Sequence, residues 1–235
     1  MLILAFETSA KAASVALHNG KKLLAESYQN TGLTHSQTLM VMAQDLLTQC
    51  GFTPKDVTAV AVAEGPGSFT GVRIGVAAAK GFAWGAELPC YGISTLEAMA
   101  ESLGVYSGYV CPVMDARRSQ VYNALFYVNC GKYTRIRDDR AISLRELGED
   151  VKNLSEPVFL VGDGSVLCYN SLLEEVPGLV LPPEHRQHQR AAGVALVAAK
   201  KIEAGEEGSG ALLNPNYLRL SQAEREKLER LHKEK

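Results

Sequence analysis

The sequence has no two histidines four residues apart, no His-Glu-x-x-His, no Cys-x-x-Cys and no Gly-x-Ser-x-Gly. The histidine absences remove the helical zinc-hydrolase patterns. The cysteine absence removes a zinc ribbon or dithiol redox pair, and the last removes a nucleophile elbow. Five cysteines (Cys50, Cys90, Cys111, Cys130, Cys168) are odd in number and scattered, which argues against a disulfide frame and reads as a reduced cytosolic chain. Positive charge is not in excess. The 24 Lys and Arg against 26 Asp and Glu leave a net charge of −2, and independent nucleic-acid affinity would call for a basic face. No run approaches transmembrane length, and Met1 to Glu7 carries neither a basic region nor a cleavage site. The expectation is a cytoplasmic protein without membrane association, whose first residues form a core strand. What remains is ordinary globular composition: 235 residues, 46% hydrophobic and 21% charged, enough for one large or two small domains.

The most informative stretch runs from Ala63 to Gly75, Ala-Glu-Gly-Pro-Gly-Ser-Phe-Thr-Gly-Val-Arg-Ile-Gly. It follows Val57 to Val62, an uncharged run that fits a strand buried on both faces. It leads into Val72 to Trp84, which is alanine-rich, free of proline and suited to helix. Strand, glycine loop and helix form the shape of an anion-binding turn, because the first helical amides lack internal partners. A tight loop that lets the helix pack closely on a sheet fits equally well. The loop is not a Walker A motif, since Val72-Arg73 follows Gly71 where Lys-Ser/Thr would stand. Within the helix, Gly71, Gly75, Ala78 and Phe82 share one face. Interior glycine costs about 1 kcal/mol against alanine, so these glycines predict a close neighbour, either internal or on another subunit.

In chain order, Leu2 to Phe6 predicts a buried strand, Glu7-Thr8-Ser9 a polar turn, and Ala13 to His18 a second strand. Asn19-Gly20 signals a hairpin into a third strand, Lys22 to Tyr28. Thr34-His35-Ser36-Gln37 has the capping-box pattern, and the helix it opens runs to about Gln49, with Gly51 ending it. Leu39, Ala43, Leu46 and Cys50 line one face; Met40 and Leu47 widen it on one side, His35 and Met42 on the other. So wide an apolar arc predicts a helix that buries two faces or offers one to a partner. Pro89 to Ile93 reads as strand and Ser94 to Leu103 as helix. After Gly104 the opening recurs: Tyr109 to Met114, a polar turn with Asp115 where Glu7 stood, and Gln120 to Val128. A third strand, Tyr133 to Arg137, completes this second meander, which suggests internal duplication. Ser143 to Leu154 predicts helix, Pro157 to Val161 strand, Gly162 to Ser165 a turn opening a helix, and Gln187 to Ala204 helix. His185 and His188 lack a nearby third ligand and read as a solvated pair. Ser221 to Lys235 reads as a charged, largely solvated helix. The domains expected are 1–104, which carries the dimerisation helices, a reduced 105–213, and 214–235, an extended segment and charged helix that packs back on the first.

A recurring βββαβα unit with an acidic turn after its first strand resembles the actin-like ATPase superfamily, whose halves are ribonuclease H-like. The fold class expected is therefore α/β, two such halves with the second reduced. Ile3 to Ser9, Thr34-His35-Ser36, Gly65 to Gly75, Met114 to Arg118 and Pro215 to Arg219 together resemble the bacterial TsaB (YeaZ) family, glycoprotease-like in classification. Members commonly begin Asp-Thr-Ser, where this chain has Glu7. The resemblance implies a non-catalytic subunit in making N6-threonylcarbamoyladenosine at position 37 of tRNAs reading A-initial codons. It implies pairing with the paralogue TsaD, which holds the metal, joining of the ATPase TsaE, a homodimer when isolated, and tRNA contact only through the complex. No catalytic residue, metal or cofactor is expected in this chain, a subunit junction being the one place for ADP or ATP. The partner surface expected comprises His35, Leu39, Met40, Met42, Ala43, Leu47, Gly71, Gly75, Ala78 and Phe82. Glu7, Thr8, Ser9 and Asp115 would be remnants of phosphate loops. The competing reading is a small actin-like phosphotransferase or ATPase that uses Glu7 and Asp115 around Mg-ATP.

Overall fold

A computed structural model describes residues 1–104 and 107–219; the charged helix expected over 221–235 lies outside them. The first meander forms as expected, with β1 (Ile3–Glu7), β2 (Ala13–His18) and β3 (Leu23–Gln29). Asn19 closes its second turn by accepting the amides of Lys21 and Lys22 on Oδ1, while Gly20 takes φ +85°. Then come α1 (His35–Gln49), β4 (Ala59–Gly65), α2 (Phe69–Gly85), β5 (Cys90–Ser94) and α3 (Thr95–Leu103). The second half repeats the series with β6 (Gly108–Asp115), β7 (Gln120–Asn129), β8 (Lys132–Ser143), α4 (Leu144–Val151), β9 (Val158–Val161), α5 (Ser165–Leu172), β10 (Leu179–Val180) and α6 (Ala191–Glu203).

Sheet order settles the duplication. The first sheet is β3-β2-β1-β4-β5 and the second β8-β7-β6-β9-β10, the same path through equivalent strands. In each, the first strand pairs antiparallel with the second and parallel with the fourth. The second half is the reduced one: α4 and α5 have eight residues each, against fifteen and seventeen for α1 and α2.

Strand alternation divides the first sheet into two cores. Leu4, Phe6, Val15, Val60 and Val62 face α1 and α2, whereas Ile3, Ala5, Ala16, Ala61 and Ala63 face α6. The small residues on that second face let the alanine-rich α6 lie close. The last helix of each half crosses to its neighbour. Leu96, Met99 and Leu103 of α3 pack with Val110, Ala124 and Phe126 of the second sheet, and α6 belongs by sequence to the second half but by packing to the first. The two helices meet at Gly193, where a Cβ would overlap the Ala98 carbonyl.

Several expectations change. Thr34 precedes α1 without capping it through its side chain, because the Gln37 amide donates instead to the Thr34 carbonyl at 2.9 Å. Capping boxes form instead at Thr53–Asp56 and at Ser143–Glu146, where the serine accepts the Glu146 amide and the glutamate accepts the Ser143 amide. β4 runs on to Gly65 and α2 begins at Phe69, so the glycine loop shrinks to Pro66–Ser68. β8 is twelve residues long, extended past Arg137 through an irregular register with β7. α6 starts at Ala191 because residues 184–186 form a separate 3-10 turn.

Candidate functional site

The polar groups of the first acidic turn point into the molecule. Glu7 ends β1 at 1% exposure. Its Oε1 accepts the Ser9 amide at 2.6 Å, while Oε2 has no hydrogen-bond partner among the described residues. Burial pushes its carboxyl up to about 7, opposed by the Ser9 hydrogen bonds and reinforced by the charge of Asp163. Thr8 and Ser9 are fully buried. The Thr8 hydroxyl donates to the Gly71 carbonyl at 2.8 Å, and the Ser68 amide donates to the Ser9 carbonyl at 2.7 Å. These residues do not present an open phosphate loop. They lace the first turn to the start of α2.

The same lacing explains the glycines. A Cβ on Gly67 would lie 2.5 Å from the Ser9 carbonyl oxygen, one on Gly71 would overlap the Thr8 carbonyl, and one on Gly75 the Thr8 hydroxyl. The close neighbour of α2 is thus the turn after β1, inside the chain. Gly71 and Gly75 leave the expected partner surface for this reason.

Asp115 sits apart from Glu7 in environment. It is exposed and accepts the Arg117 amide on Oδ1 at 2.7 Å. Between the two acids stands a residue the sequence did not mark. Asp163 lies in the turn before α5, exposed at the surface, and its Oδ1 accepts Nε2 of the buried Gln189 at 3.2 Å. Partial desolvation of the carboxylate against its neighbours raises it, and the nearby charge of Asp115 adds to this. Gly162-Asp163-Gly164-Ser165 reads in sequence as a helix-opening turn, and only the fold brings its acid towards Glu7. Among the described residues no group of three His, Cys, Asp or Glu is arranged to hold a metal ion.

The α1–α2 face divides in two. Leu39, Met42, Ala43 and Leu47 are buried in the chain's own core and offer nothing outward; they too leave the expected partner surface. Ala78 and Phe82 are half-buried against that core. His35 docks Nε2 on the Ala10 carbonyl at 2.9 Å, a packing role at the start of α1. What faces solvent is Leu33, Met40 and Val41, exposed at 58%, 43% and 58%. Leu33 edges a shallow depression that Thr34, His35, Ser68, Thr70 and Ile74 also line, whereas Val41 lines a separate one with Ser27, Gln37 and Asp45.

Past α6 the chain returns as an extended strap. Leu213 is buried in the α1–α2 core and its carbonyl accepts Lys80 Nζ at 2.9 Å. The Asn216 amide donates to the Glu64 carbonyl at 2.6 Å. Tyr217 stacks on Phe69 with ring centroids 4.6 Å apart, and Arg73 donates Nε to its hydroxyl at 2.7 Å. Arg73 also lies over the Phe69 ring at 3.8 Å.

Residues 29–227 match the family model described as TsaD: tRNA N6-adenosine threonylcarbamoyltransferase. The tRNA threonylcarbamoyladenosine biosynthesis protein TsaB of Bacillus subtilis is 33% identical over 95% of this chain and 96% of its own. The protein of that name from Escherichia coli is 44% identical over 52% of this chain and 53% of its own. The solved structure of YeaZ from Pseudomonas aeruginosa superposes with a TM-score of 0.74 at 26% identity, covering 92% of this chain and 99% of that one.

Proposed function

Since this chain belongs to the TsaB (YeaZ) family of tRNA threonylcarbamoyladenosine biosynthesis proteins, we propose that it is the non-catalytic scaffold subunit of the complex that makes this nucleoside at position 37 of tRNAs reading A-initial codons. It works in the cytoplasm, pairs with the TsaD paralogue, recruits the TsaE ATPase, and forms a homodimer when isolated. The observation that carries the reading is the match to a TsaB protein over nearly its whole length. The site geometry supports it. The first acid is buried and inclined to hold a proton, the Thr8 hydroxyl is spent on the Gly71 carbonyl, and Ser9 is buried beside it. A phosphotransferase would need those groups open to Mg-ATP. A net charge of −2 supports tRNA contact supplied mainly by a partner.

The partner surface under this reading is narrower than the sequence suggested: Leu33 with the depression it lines, and the exposed Met40 and Val41 of α1. Met40→Asp places a carboxylate there without disturbing the core, since Met40 is exposed. An unpaired carboxylate buried by a partner costs several kcal/mol, so the dissociation constant with TsaD is expected to rise about 100-fold or more. Sedimentation of the isolated chain and titration with TsaD read the effect. Unchanged assembly of the folded variant would move the partner surface elsewhere.

A further inference from the structure

The strap touches both halves of the molecule. Its inner end is held by the first half through Leu213, Asn216 and Tyr217. Its outer end reaches the second half, where Arg219 donates to the Ala116 carbonyl at 2.6 Å. Leu218 alone separates Tyr217 from Arg219, so the strap joins the first turn of α2 to the turn after β6 with little slack.

The point it grips is strained. Arg117, Arg118 and Ser119 all take positive φ, at 61°, 56° and 56°. Non-glycine residues seldom visit this region, and three in succession persist only where neighbours over-determine them. The neighbours are the Asp115 carboxylate on the Arg117 amide, the Ala116 amide on the Gln120 carbonyl, the Leu144 amide on the Ser119 carbonyl, and Arg219 on Ala116. Arg219 alone among these comes from beyond the second half's sheet and its helices.

The strap's inner anchor lies on the first turn of α2. Phe69 and Arg73, which hold Tyr217, flank Thr70 and Ile74, which line the depression beside Leu33. We propose that residues 213–219 are a latch that couples the partner face on α1 and α2 to the strained turn 117–119. A partner seated on the first turn of α2 tightens the Phe69–Arg73–Tyr217 stack, draws Arg219 onto Ala116, and so fixes the second half against the first. The partner half of this statement rests on the proposed function; the latch itself does not.

Hydrogen exchange of the full chain, read by mass spectrometry on peptides covering 115–123, tests both. In the isolated protein, Arg219→Ala is expected to speed exchange there about fivefold or more, since it removes a charge-assisted bond from an otherwise strained turn. Peptides from β1, β4 and α3 are expected to be unchanged. Tyr217→Ala, which frees the inner anchor, is expected to speed the same peptides. Unchanged exchange at 115–123 in both variants, or uniform acceleration across the chain, would overturn the latch. Adding TsaD is then expected to slow exchange at 115–123 in wild type but not in Arg219→Ala, with equal heterodimer formed by each. Binding of TsaD with the same slowing in both would overturn the coupling. Failure of TsaD to bind wild type would overturn the proposed function while leaving the isolated-chain result to stand.

Discussion

Gly71→Ala is expected to lower unfolding stability by about 3 kcal/mol or more, while Gly81→Ala, ten residues along the same helix, raises it by about 0.5–1 kcal/mol. Helix propensity favours alanine at both sites, so the opposite signs come from surroundings alone. At Gly71 the added methyl would overlap the Thr8 carbonyl oxygen, a backbone atom fixed by β1 and unable to move aside. At Gly81 no atom of the described residues lies within 4 Å of the added methyl. Urea denaturation of the two variants and wild type measures the contrast. If Gly71→Ala instead remained as stable as wild type but lost self-association, its neighbour would be another subunit after all.

The second large effect concerns Glu7 and pH. Its carboxyl is raised by burial from 4.5 to about 7. Below pH 4.5 the group is protonated in the folded and unfolded chain alike, and its contribution is fully present. As pH rises towards 7 the unfolded chain releases the proton while the folded chain retains it, so stability falls. The loss totals about 3 kcal/mol and levels off above the folded value. Glu7→Gln cannot ionise and keeps an oxygen to accept the Ser9 amide. Relative to wild type it is therefore expected to gain about 3 kcal/mol between about pH 4 and about pH 8. Urea melts at the two pH values decide the matter, and parallel pH dependence in both proteins would contradict a buried, protonated Glu7.

Both predictions turn on contacts that local sequence pattern could announce only in part. The interior glycines Gly71 and Gly75 state that something must come close, but glycine carries no information about what. Thr8, more than sixty residues earlier, supplies the contact through strand pairing. The apolar arc on α1 was legible in the same limited way. Leu39, Met42, Ala43 and Leu47 have the right periodicity, yet periodicity cannot tell a sheet and a neighbouring helix from a partner subunit. Local features fared better: Asn19-Gly20, Gly51 and the recurrence of an acidic turn at Glu7 and Asp115 each mark where the chain turns. The crossing of α6 onto the first sheet is a long-range choice of partner, with alanine on both surfaces as its one trace. Asp163 stayed hidden because a Gly-Asp-Gly-Ser turn explains itself locally. The strap was visible as extended chain, but the stacking of Tyr217 on Phe69 joins residues far apart in sequence.

The most direct test of the scaffold reading is reconstitution. Threonylcarbamoyl-AMP, tRNA, ATP, TsaD and TsaE are incubated with and without this protein, and the tRNA nucleosides are read by mass spectrometry. The account predicts N6-threonylcarbamoyladenosine only when the protein is present, restored by wild type and not by folded Met40→Asp. Equal modified adenosine in both tubes would contradict it.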